Sequence, residues 1–61
     1  MMTLRTWRRS HDRHVRHLPH GVAVVQFGSV LVADQARKDV WDLTDYAVQG
    51  TDGRTFYLRR R

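Results

Sequence analysis

The 61-residue chain has no cysteine, no glutamate, one proline and one lysine. Without cysteine there is no disulfide, no thiolate zinc site and no cysteine nucleophile, so stability must come from packing or from a partner. The longest unbroken apolar runs, Val22–Val25 and Val30–Ala33, are four residues each. A membrane helix needs about 20, so no membrane contact is expected. The N-terminal arginines are not followed by an apolar stretch of signal-peptide length, and a cytoplasmic rather than secreted chain is expected. A chain this short buries only about 60% of its unfolded surface. That excludes two-domain enzymes, large cofactor pockets and repeat arrays.

What is present is arginine. Ten of the eleven basic residues are Arg, and all six acids are Asp. Arginine offers a planar, permanently charged fork that pairs bidentately with phosphate or carboxylate. Its placement is uneven. Residues 1–20 carry Arg5, Arg8, Arg9, Arg13 and Arg16 against Asp12, a net of +4. Residues 21–58 carry five Asp against Arg37, Lys38 and Arg54, a net of −2. Arg59, Arg60 and Arg61 add +3, giving +5 overall. Two basic ends around a mildly acidic middle point to a polyanion or an acidic protein surface as partner.

The pattern divides the chain into a basic segment 1–20, a β domain 21–58 and a basic tail 59–61. On a helical wheel Leu4, Trp7, His11, His14, Val15 and Leu18 fall within about 100°, with Arg5, Arg9, Arg13 and Arg16 opposite. This predicts an amphipathic helix, capped by Thr3 and ended by Pro19. The competing reading is an extended arm, because Arg5/Arg9 and Arg9/Arg13 repel at i,i+4. From Gly21 the β-branched runs 21–27 and 30–33 predict two strands joined by a Gly28-Ser29 type II′ turn, apolar on both faces and covered twice. Val40–Val48 reads as a third strand whose alternation changes phase near Thr44 and Asp45. Asp52-Gly53 signals a hairpin into a fourth strand, 55–58. The expected fold is one small α+β domain, an N-terminal basic helix or arm followed by a four-stranded antiparallel meander able to curl into a half-open barrel. Phe27, Trp41 and Phe56 are its expected aromatic core.

Four histidines recur every third residue, at 11, 14, 17 and 20. One helix can present only two of them together, and no Cys or Glu completes a tetrahedral set, so no metal site is assigned. Their expected contribution is added positive charge on mild acidification. No Gly-rich phosphate loop, nucleophile elbow or paired-ligand metalloprotease pattern occurs, and no enzyme activity or cofactor is expected. The leading expectation is a nucleic-acid-binding protein, for DNA or RNA, with Arg5, Arg8, Arg9, Arg13, Arg16, Arg59, Arg60 and Arg61 on phosphates. If Val48 pairs with Tyr57, then Tyr46, Tyr57 and Arg59 share a face on which bases can stack. The alternative is a module that docks its basic ends on an acidic surface of a larger enzyme or assembly. A homodimer or other homo-oligomer would supply burial that 61 residues lack, through exposed sheet edges.

Overall fold

The computed structural model describes residues 2–10 and 14–61, excepting the side chains of Arg8, Arg9 and Ser10. The elements are α1 (Leu4–Ser10), β1 (His14–Leu18), a 3-10 turn (Pro19–Gly21), β2 (Val22–Gln26), α2 (Val30–Trp41), β3 (Tyr46–Asp52) and β4 (Thr55–Arg60). The four strands form one antiparallel sheet in the order β1-β2-β4-β3. The small α+β architecture is thus as expected, and the sheet stays open rather than closing into a barrel. Its order is not that of a meander. Strands β2 and β3 run parallel on either side of β4, with α2 making the crossover between them.

Three local readings are corrected. The helix expected over 4–18 stops at Ser10, and residues 14–18 form β1, paired with β2 from His14↔Gln26 to Leu18↔Val22. Like-charge repulsion along the Arg ridge weakens a long helix, and burial of Val15 against Val25 rewards the strand. Pro19 therefore opens the turn between β1 and β2, in which His20 (φ 66°) and Gly21 (φ 75°) are left-handed. The second correction concerns Gly28-Ser29. Ser29 is the N-cap of α2, its hydroxyl accepting from the Val32 N–H at 3.2 Å. Ala33, Ala36 and Val40 then recur at helical spacing and are buried. The run 30–33 is therefore the first turn of a helix, as are Val40 and Trp41 its last. The phase change near Thr44 marks the passage from that helix into β3.

The third correction is one of register. The β3–β4 loop is Gly53-Arg54, between the Asp52↔Thr55 pair, and the φ of 59° at Gly53 suits the first position of a type II′ turn. Val48 pairs with Leu58, not Tyr57. A bulge at Gln49 then restores the phase so that Gly50 faces Tyr57.

Both helices cover the same face of the sheet. Val15, Ala23, Val25, Tyr46, Phe56 and Leu58 point to that face and are buried. Trp7 of α1 meets Phe27 edge-on with centroids 6.0 Å apart, and Phe27 meets Phe56 at 5.4 Å. Phe27 and Phe56 are core as expected. Trp41 is not: it is 50% exposed and only edges onto Phe56. The N-terminal segment is tied down by its own cap and by the loop after α2. Thr3 Oγ1 accepts from the Thr6 N–H, Asp45 Oδ1 accepts from the Leu4 N–H at 3.0 Å, and the Thr44 N–H donates to the Met2 carbonyl at 2.9 Å.

Candidate polyanion interface

No described element covers the face of the sheet away from the helices, contrary to the expectation of two covered faces. Strand alternation and register place three rows of side chains on it. The first is His14, Gln26, Thr55 and Asp52; the second is Arg16, Val24, Tyr57 and Gly50; the third is Leu18, Val22, Arg59 and Ala47. Tyr57 is 40% exposed on the central strand β4. Arg59, two residues along the same strand, lies about 7 Å from it, and Arg16 lies two strands away, about 10 Å. Opposite Tyr57 on β3 stands Gly50, where an added Cβ would meet nothing within 4 Å. The space over Gly50 beside Tyr57 is therefore open, with no side chain standing in it. The second and third rows contain no carboxylate; Asp52 is in the first, at the far corner on edge strand β3.

Tyr46 does not share this surface. The register places it opposite Arg60 on the helix side, where it is 9% exposed. The expected platform of Tyr46, Tyr57 and Arg59 is thereby replaced by Tyr57, Arg59 and Arg16. Strand β1, read as helix from the sequence, is what brings Arg16 to this face.

The three C-terminal arginines separate. Arg59 is on the open face and Arg60 on the helix side, while Arg61 donates from its backbone to the Asp45 carbonyl at 2.9 Å and from Nε to the Tyr46 carbonyl at 3.2 Å. On the helix side a cavity of about 410 Å³ is lined by Leu4, Arg5, His17, Asp45, Tyr46 and Arg60. Arg5 from the N-terminal end of the sequence and Arg60 from the C-terminal end thus meet at one site. Arg8 and Arg9 belong to α1, their side chains outside the description, and Arg13 and His11 lie outside the described residues.

The three described histidines do not gather. His14 projects on the open face, His17 into the cavity on the other, and His20 sits in the turn between β1 and β2. Among the described residues no group of three or more His or Asp side chains is placed to hold a metal, and no helix is long and apolar enough to cross a membrane. The sole ion pair among them is Arg37–Asp34, 3.5 Å apart on α2, at the end of the molecule's acidic stretch. Comparison with known protein families, with curated proteins and with solved structures finds no match.

Proposed function

We propose that the chain binds single-stranded nucleic acid, DNA or RNA, across the open face of its sheet, without catalysing a reaction on it. The observation that carries this reading is the row geometry: an exposed tyrosine on a central strand, beside open space over Gly50, flanked by Arg16 and Arg59 with no carboxylate in either row. An aromatic ring on a flat, open sheet offers a stacking surface that accepts any base. The flanking guanidiniums supply phosphate contacts and make affinity depend on salt. A duplex keeps its bases stacked on one another and gains only the electrostatic part.

A second copy of the chain is the competing occupant of this face, since Leu18, Val22, Val24 and Ala47 give it apolar character. Dimerisation there would place two Arg16 and two Arg59 side chains in a desolvated contact whose central rows lack a carboxylate, which is costly. Nucleic acid supplies the missing negative charge.

The test is fluorescence anisotropy with labelled oligonucleotides of about 12 residues, single-stranded and duplex, over a series of salt concentrations. Tyr57→Ala should weaken single-strand binding by about 1–3 kcal/mol while leaving the fold intact. Arg16→Ala and Arg59→Ala should each lower the slope of log K against log salt by about 0.7. Absence of binding at low salt refutes the reading, as does binding that Tyr57→Ala leaves unchanged. An acidic protein surface becomes the better account if a partner captured from lysate survives nuclease treatment and competes for Arg16 and Arg59.

A further inference from the structure

The cavity on the helix side is a second site, distinct from the open face, and its walls have a definite chemistry. Three elements each bring a nitrogen-bearing side chain to it: Arg5 from α1, His17 from β1 and Arg60 from β4. Each of the three is exposed, and none is ion-paired with another described residue. Their convergence follows from the fold. The β1–β2 register puts His17 on the helix side one row in from the sheet end, the β3–β4 register puts Arg60 opposite Tyr46 at that end, and docking of Leu4 and Trp7 presses α1 over both. Gly21 leaves room for the Arg60 side chain, since a Cβ there would stand 3.2 Å from the Arg60 Cβ.

Among the described residues the one carboxylate in the wall is Asp45. Its Oδ1 is already committed to the Leu4 N–H, and its backbone carbonyl to the Arg61 N–H. It holds the N-terminus of α1 in place and is ion-paired with no described arginine. Two guanidiniums and an imidazole around a concavity, with Tyr46 in the wall, form a donor set for a compact anion with several acceptor oxygens. A phosphate group has that shape, that charge and oxygens enough for a bidentate arginine and a second donor at once.

We propose that Arg5, His17 and Arg60 form a binding site for a phosphate group carried as a terminal monoester or as the free ion. The site does not depend on the nucleic-acid reading of the opposite face. The experiment is a titration of the full chain with inorganic phosphate at constant ionic strength, chloride being exchanged for phosphate, followed in amide-resolved NMR spectra. Saturable shifts centred on Arg5, His17, Tyr46 and Arg60 are expected. Arg5→Ala and Arg60→Ala should each weaken binding at least about tenfold, His17→Ala should weaken it less, and Arg59→Ala on the other face should leave it within about twofold. Shifts that do not saturate overturn the proposal. So do shifts centred on Arg16 and Arg59, or an equal loss in Arg59→Ala.

Two further arms identify the source of the phosphate. A 5′-phosphorylated oligonucleotide that binds more tightly than its 5′-hydroxyl form, with the difference lost in Arg60→Ala, assigns the site to a polynucleotide end. Saturation by inorganic phosphate with no such difference assigns it to the free ion. Loss of oligonucleotide binding in Tyr57→Ala with phosphate saturation unchanged would separate failure of one site from failure of the other.

Discussion

Asp45 sits where stability and anion binding pull in opposite directions, and substituting it should move the two quantities oppositely. Its Oδ1 accepts from the Leu4 N–H at 3.0 Å across 41 residues of sequence, and among the described residues its carboxylate is the single negative group in the wall shared with Arg5, His17 and Arg60. Asp45→Ala removes a part-buried acceptor that serves as a cap for α1, at a cost of about 1–2 kcal/mol. For a domain of this size that lowers Tm by roughly 8–16 °C. Asp45→Asn keeps a carbonyl oxygen for the same N–H and should cost about half as much. In the cavity, a unit charge about 7 Å from a bound phosphate interacts with it by about 0.6 kcal/mol per unit charge in water, roughly halved by 0.1 M salt. With nearly two charges on the phosphate, removing the repulsion should tighten binding about threefold. Asp45→Asn should therefore melt earlier and bind inorganic phosphate more tightly. Thermal unfolding by circular dichroism and the NMR titration measure the two effects on one sample. An Asp45→Asn protein that is folded and binds phosphate no more tightly would refute the electrostatic account of the cavity. An Asp45→Ala protein that melts with the parent would refute the role of Asp45 in holding α1.

Two other substitutions test the fold. Phe56 is fully buried against Phe27, with Trp41 and the Arg37 guanidinium over its ring, so Phe56→Ala should cost about 3–5 kcal/mol. That is comparable with the whole stability of a 61-residue core, and the variant should show no cooperative unfolding transition; a sharp melt near the parent's would contradict this packing. Ser29→Ala deletes the hydroxyl that accepts from the Val32 N–H and should cost about 1 kcal/mol, seen as faster amide exchange in the first turn of α2. Unchanged exchange there would mean that the cap contributes nothing.

The parts of the fold that could be read from the sequence were those with a local cause. Thr3 caps α1, β-branched residues 22–26 make a strand, and Gly53 marks a hairpin, each within a few residues of its signal. Sequence and structure part where two local patterns compete and a distant contact chooses between them. His14–Leu18 has the spacing of a helix and the length of a strand; pairing of Val15 with Val25 decides for the strand. Gly28-Ser29 fits a hairpin turn as well as an N-cap, and the deciding signal was the stripe Ala33, Ala36, Val40 beyond it. The β-branched Val30 and Val32 favour a strand locally and yet stand exposed in the first turn of α2. The bulge at Gln49 has no strong local mark, so the register of Tyr46 could not follow from alternation alone.

The same contrast governs the candidate sites. The run Arg59-Arg60-Arg61 looks like one basic tail in the sequence, and a flexible tail would apply its charge as a unit. Because β4 continues to Arg60, period-two alternation divides the run: Arg59 joins Arg16 and Tyr57 on the open face, Arg60 joins Arg5 and His17 in the cavity, and Arg61 bonds the backbone of Asp45 and Tyr46. The last of these contacts fastens the chain end to the loop that caps α1 and so fixes the strand on which the alternation depends. Charge that is additive along a disordered tail becomes, in a strand, two separate sites about one residue apart in sequence and a full sheet thickness apart in space. Single Arg→Ala changes at 59 and 60 should then affect different ligands, which a tail acting as a unit cannot produce.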